Sequence, residues 1–203
     1  MKKTMLIGVV AMVSSMVPLA QADVIYGAQP GTSGQLTTYD TVSDVTTSLA
    51  VVPRNLALSF NQAGDLYGIS NPTLYRVDTL TGVPTAIGTG SYNSYVEAVT
   101  FDLTGRLIAG SSISPRLFEV STSDGSATDL GAVSGLGDID GLTVNPLEVN
   151  TVIGMVPAGT IFAIDSGRLY TIDSITRVAT LLHPNVRGSE TISFASDGTL
   201  YGN

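Results

Sequence analysis

Leu58-Ser-Phe-Asn-Gln-Ala-Gly-Asp-Leu66, Val99-Thr-Phe-Asp-Leu-Thr-Gly-Arg-Leu107 and Ile192-Ser-Phe-Ala-Ser-Asp-Gly-Thr-Leu200 are three copies of one phrase. In each, Phe stands two after the first apolar residue, Gly four after Phe, and Leu two after Gly. Leu142-Thr-Val-Asn-Pro146 is a weaker copy, with Val144 in the Phe place. Alternation of apolar and polar residues puts Leu58 and Phe60, or Val99 and Phe101, on one buried strand face. Gly64, Gly105 and Gly198 then supply the positive φ of a tight hairpin. The phrase therefore reads as two short antiparallel strands joined by a turn.

A second phrase follows the first: Leu74-Tyr-Arg-Val-Asp78, Leu117-Phe-Glu-Val-Ser121 and Leu169-Tyr-Thr-Ile-Asp173, with Leu36-Thr-Thr-Tyr-Asp40 as a degenerate member. Each runs into a polar turn and another short segment, at residues 84–88, 127–133 and 178–182. The Phe-position residues Phe60, Phe101, Val144 and Phe194 are spaced 41, 43 and 50 apart. A unit of about 40–45 residues with four short strands is the blade of a β-propeller. The first phrase supplies strands a and b, the second strand c, and the segment after it strand d. No stretch after residue 22 keeps a helical period, so the expected class is all-β. The third unit carries about 11 extra residues between its strands a and b, at 146–158, an expected surface loop or additional hairpin.

The opening unit, Val24-Ile-Tyr-Gly-Ala28, matches strand b (Leu66-Tyr-Gly-Ile69) and has no strand a after residue 22. The last unit has a strand a and then Leu200-Tyr-Gly-Asn203, a second strand b. The expectation is about four blades of four strands plus a partial blade, incompletely closed, compatible with a fragment of a larger ring. The terminal strand a is the candidate to complete the first blade.

Residues 1–22 carry Lys2 and Lys3, an apolar run and Ala20-Gln21-Ala22. That order is the positive region, apolar region and small-x-small cleavage site of a secretory signal peptide, here of bacterial type. The expected domains are a signal peptide at 1–22 and a repeat domain at 23–203, exported to the periplasm or beyond. The chain has 9 Lys+Arg against 17 Asp+Glu, and losing both lysines takes the formal charge from −8 to −10. Nucleic acid is excluded as a partner, since phosphate needs basic patches. The expected partner is a protein, a peptide or a carbohydrate, and no membrane span remains after the leader. With no Cys and only His183, disulfides, thiolate metal sites, Cys nucleophiles and His-based triads are excluded too.

Carboxylates recur four residues before the Phe position: Glu97, Asp140 and Glu190. The matching residue of the first full unit is Leu56, with Asn55 beside it. Innermost strands of a propeller line its axis, so equivalent positions converge there. Two or three carboxylates, helped by Asn55 or Asp138, form an oxygen set suited to a hard cation such as Ca²⁺. The alternative is that they cap strand ends or face solvent. The string Asp138-Ile-Asp140-Gly141 is half a calcium loop, without the closing Glu of an EF-hand. Tyr92-Asn-Ser-Tyr95, just before Glu97, is a candidate ligand-binding pair in Tyr92 and Tyr95, or an ordinary loop. His183 reads as a surface histidine and Arg76, Arg116, Arg168 and Arg187 as salt-bridging. The repeated aromatic positions, among them Tyr67, Phe118 and Phe162, read as inter-blade packing.

Over residues 23–203 these phrases resemble the secreted bacterial β-propeller repeat proteins, the group with YVTN-type and quinoprotein-like members. That resemblance implies the architecture and leaves the activity open. Asp140-Gly-Leu-Thr-Val-Asn-Pro and Glu97-Ala-Val-Thr-Phe are also similar to strand openings of gluconolactonase-like calcium propellers. This second resemblance implies Glu97, Asp140 and Asn55 as ligands of a catalytic divalent metal. Two functions follow: an exported binding propeller without a catalytic set, or a metal-dependent, lactonase-like hydrolase.

Overall fold

The computed structural model describes residues 9–13 (backbone only), 24–28, 34–92, 95–186 and 190–202. The described residues are strands and turns, without a helix, and so none has a helix long and apolar enough to cross a membrane. Four antiparallel four-stranded sheets are arranged as the blades of a β-propeller. The first holds β1 (Val9–Val13), β2 (Val24–Ala28), β3 (Gly34–Asp40) and β4 (Val45–Val52). The second holds β5 (Ala57–Phe60), β6 (Leu66–Ser70), β7 (Thr73–Val77) and β8 (Pro84–Thr89). The third holds β9 (Val96–Phe101), β10 (Leu107–Ser111), β11 (Arg116–Val120) and β12 (Ala127–Ala132).

The fourth blade begins with β13 (Gly141–Val144) and continues after the insertion with β16 (Ile161–Asp165), β17 (Arg168–Ile172) and β18 (Ala179–His183). The insertion is a hairpin of β14 (Val149–Thr151) and β15 (Gly154–Val156). A two-stranded sheet, β19 (Ile192–Phe194) with β20 (Leu200–Gly202), is the partial blade. Innermost strands lie side by side in the order β1, β5, β9, β13, β19, and β19 returns to β1.

Closure departs from the expectation. The first blade takes its strand a from Val9–Val13, inside the expected leader, paired along its whole length with β2. The terminal strand a pairs with β20 instead and completes nothing. A run of β-branched and small apolar residues fits an unpaired inner edge as well as it fits a leader, and composition alone does not separate those fates. The rest of residues 1–22 lies outside the described residues.

The hairpin turns form as the glycine spacing predicts. Gly64 and Gly105 have φ of 83° and 86°, with open space where a Cβ would stand. Asn61 and Asp102 fold each turn back on itself: Asn61 Oδ1 accepts the Asp65 N–H and Asp102 Oδ1 the Arg106 N–H. The core is four layers between blades rather than one centre. At three of the four junctions a strand-b ring meets the Phe of the next strand a edge-on. These pairs are Tyr26–Phe60, Tyr67–Phe101 and Phe162–Phe194, with centroids 5.0–5.4 Å apart. Each such pair contributes about 0.5–1.5 kcal/mol beyond its buried area. At the remaining junction both partners are aliphatic, Ile108 and Val144, so the Phe and its ring partner are lost together.

Hydroxyls make a second link between blades. Ser59 Oγ accepts the Phe101 N–H at 3.2 Å, and Thr143 Oγ1 accepts the Phe194 N–H at 3.2 Å. Ser59, Thr100, Thr143 and Ser193 occupy one repeat position, directly before the Phe place. The hydroxyl satisfies an inner-edge N–H that has no next strand to pair with.

Candidate functional site

Strand a of each full blade starts at one end of the axis and runs to a hairpin turn at the other. Glu97 is the second residue of β9, and Asp140 immediately precedes β13. Between them Ile139 is fully buried, and its Cγ2 lies where any Cβ at Gly110 would stand, 2.6 Å away. That close approach needs glycine in β10. With Ile139 anchored inward, the alternation of an extended chain turns Asp138 and Asp140 the other way, toward Glu97. The result is three carboxylates from two blades, with oxygen atoms all within 4.8 Å of one another.

The surroundings are tuned against charge. Partial burial holds the Glu97 carboxyl above its ordinary range, and the Asp138, Asp140 and Glu190 charges push it further. A hydrogen bond with the Ser112 hydroxyl works in the opposite sense. Burial raises Asp140 as well, opposed by the Ser166 N–H that Asp140 Oδ2 accepts at 2.7 Å. Among the described residues the arginine ion pairs lie elsewhere: Arg76–Asp65, Arg106–Asp102, Arg106–Glu119 and Arg116–Asp129. A cavity of about 420 Å³ runs from Glu97 and Asp140 along the inner strands to the Asn61–Gly64 and Asp102–Leu103 turns.

Of the sequence-named residues, Glu97 and Asp140 come together, with Glu190 near enough to act on both charges but outside the group of three. Asn55 is exposed, in a left-handed turn (φ 50°) between β4 and β5, and the buried Leu56 takes the strand register beside it. Asp138 holds the third place. The signal for it was in the sequence, as Asp-x-Asp around a residue that had to be buried. Tyr92 packs edge-on against Phe118, centroids 5.4 Å apart, and burial pushes its hydroxyl up to about 12. Tyr95, two residues before Glu97 in the chain, is 61% exposed. His183 ends β18, exposed, its Nδ1 accepting the Asn185 N–H. Arg187 lies outside the described residues.

The geometry fits a hard divalent cation. A calcium ion surrounded by oxygens at about 2.4 Å places opposite ligands no more than about 4.8 Å apart. Carboxylates with raised affinity for protons and no paired arginine are those that a cation would relieve.

A helix-turn-helix, Psq domain family matches residues 50–78. That stretch is the end of β4, then β5, β6 and β7, and contains no helix. None of the curated proteins matches the chain. Solved structures do, and they are propellers. A structural-genomics protein of unknown function from Bacteroides thetaiotaomicron superposes with a TM-score of 0.67 at 12% identity, over 88% of this chain. This chain spans 53% of that protein's length. A chain of the nidogen/laminin complex gives 0.63 at 10% identity, over 97% of this chain and 71% of its own. Regucalcin from Agrobacterium tumefaciens, a calcium-binding protein, gives 0.55 at 17% identity, over 98% and 67%. The likeness is one of fold.

Proposed function

We propose that this chain is an exported binding propeller that recognises a protein, peptide or carbohydrate at its carboxylate-bearing end, with a divalent cation such as Ca²⁺ held there. Residues 1–22 act as its removable bacterial leader, and the processed protein works in the periplasm or outside the cell. The observation that carries the cation is the convergence of Glu97, Asp138 and Asp140 from two blades, with no arginine ion pair to them among the described residues. A bound cation turns a self-repelling mouth into a site with open coordination positions for a partner's oxygens. The exposed Tyr95, two residues before Glu97 in the chain, offers a ring for apolar contact.

Calcium titration tests this. Saturating Ca²⁺ is expected to raise the melting temperature by about 5 °C, with measurable heat of binding. Glu97→Gln is expected to fold normally and to lose that rise. No heat, and no change in melting on adding Ca²⁺ or chelator, would overturn the proposal. A second reading, a cation-dependent hydrolase of lactone type, is favoured by the open cavity below the carboxylates, large enough for a small substrate. Cation-dependent lactone hydrolysis lost in Glu97→Gln would select it.

A further inference from the structure

The outermost strands of the four blades, β4, β8, β12 and β18, each present one edge to the outside, and the repeat fixes which residues face out along it. Just before strand d one residue gives its carbonyl inward to strand c. Val83 O accepts the Asp78 N–H, Ser126 O the Ser121 N–H and Val178 O the Asp173 N–H. An antiparallel ladder alternates, so the next residue turns its N–H and C=O outward, and so does the one two further on. By ladder partner these outward positions are Pro84 and Ala86 in β8, Ala127 and Asp129 in β12, and Ala179 and Leu181 in β18. In β4 they are Thr46 and Ser48.

Three of these edges are guarded. In β8 the first outward residue is Pro84, which has no N–H to give. In β18 the first outward N–H is already taken, Ala179 bonding Ser134 O of the neighbouring blade at 2.9 Å. In β12 the second outward residue is charged, Asp129 held by Arg116. Proline, cover and charge are the usual protections of a sheet edge. β4 has none of them. Its sequence, Val45-Thr-Thr-Ser-Leu-Ala-Val-Val52, holds no proline and no charge. Among the described residues no backbone group outside its own sheet bonds to Thr46 or Ser48. Residues 45–48 are all exposed, and Val42, Val45 and Val51 stand 69%, 52% and 64% exposed along the same strip.

A strand that fits this edge is short, uncharged and rich in hydroxyl and β-branched side chains, and β4 is itself such a strand. We propose that β4 pairs antiparallel with β4 of a second copy, the two-fold axis passing through Thr47. Thr46 then stands opposite Ser48 of the second copy, both facing outward, and the axis repeats that pair. Each pair exchanges two N–H···O bonds. Thr47 meets its own equivalent and Val45 meets Leu49, hydroxyl on hydroxyl and apolar on apolar, as cross-strand neighbours prefer. The exposed Val42 and Val51 flank the ladder. Charge points to the same occupant: the strip offers a basic partner nothing, and its nearest acid, Asp44, already accepts the Tyr39 hydroxyl at 2.8 Å. Each edge is used once, so the contact closes as a dimer and does not grow into a fibre. It lies on the outer rim of the first blade, separate from the axial carboxylates.

Four backbone bonds and a few valines make a small interface, which sets the dissociation constant at about 1–100 μM. Both copies carry a formal charge of −8, so the dimer tightens as salt screens their repulsion. Sedimentation velocity on the full chain over about 1–200 μM is expected to show a reversible monomer–dimer equilibrium, stronger at higher salt. Thr46→Pro copies the guard of β8 at its matching position and removes no bond to β3; Ser48→Asp copies that of β12. Each is expected to weaken the dimer by about tenfold or more, with the melting temperature of the dilute protein unchanged. The chain has no cysteine of its own, so Thr47→Cys is expected to link two copies under mild oxidation, and Thr85→Cys, at the same place in β8, is not. A chain that stays monomeric throughout, or a dimer that neither Thr46→Pro nor Ser48→Asp weakens, refutes the pairing. So does a dimerising sample in which Thr47→Cys stays unlinked.

Discussion

Two sets of carboxylates in this molecule have opposite fates. In the turns between strands c and d, Asp40, Asp78 and Asp173 each accept two backbone N–H bonds through Oδ1. Those bonds hold all three below the ordinary carboxylate range. Asp102, in an a–b turn, is held low by Thr104 and Arg106 against the opposing effect of burial. At the axial mouth, Glu97 and Asp140 are driven upward by burial and by one another's neighbours. The residue types are alike, but one set is supplied with donors and the other is crowded with acceptors. Turn aspartates are held by donated bonds; the mouth carboxylates crowd one another.

The sharpest way to break this contrast is to remove one carboxylate from each set. Asp102→Ala forfeits two backbone bonds and the Arg106 ion pair. It is expected to destabilise the protein by about 1–3 kcal/mol in denaturant unfolding, with no effect on calcium affinity. Asp140→Asn keeps an oxygen for the Ser166 N–H and removes a like charge, so cation-free stability is expected to hold or rise while calcium binding is lost. Equal destabilisation by both variants would erase the distinction.

Acid separates the sets with a smaller effect. A carboxyl with a raised folded pKa weakens the fold at neutral pH, and that penalty recedes as pH falls through the raised value. The lowered aspartates contribute stability above their unfolded pKa, about 3.9, and lose it as pH falls through their folded values. Without cation, melting temperature is expected to rise slightly from pH 7 toward about 5 and to fall below about 4. The calcium-induced increment shrinks over the first interval, where protons compete for Glu97 and Asp140. An increment unchanged down to about pH 4 would place the cation elsewhere. Smallest of all is Glu190→Gln, which acts only through its field on the mouth. It is expected to weaken calcium binding by about threefold or less in calorimetry.

Much of the fold was legible because its determinants are local. Hairpins join neighbours in the chain, so alternation at Leu58-Ser-Phe60 and a glycine at 64 are enough to define two strands and their pairing. The insertion at 146–158 was visible as an interruption of that rhythm, and it became the β14–β15 hairpin. The site was legible in part. Glu97 and Asp140 stood at one repeat position and met as equivalent positions should. Leu56 holds the matching register position and is buried, while Asn55, named as its neighbour, sits in a left-handed turn outside a strand. Asp138 was reached through a burial that Gly110, in another strand, makes possible.

The sequence by itself determined the strands, the turns, the blade period and the carboxylate positions, since each is a matter of spacing within a few residues. Only the tertiary structure decided which strand fills the inner edge of β2. It alone set Asp138 in one group with Glu97 and Asp140, and it gave the hydroxyls of Ser59 and Thr143 their use between blades. Those outcomes depend on contacts between segments far apart in the chain, where several stretches of similar composition compete for one position. Two short apolar strands, Val9–Val13 and Ile192–Phe194, suit β2 by pattern, and the structure seats Val9–Val13 there.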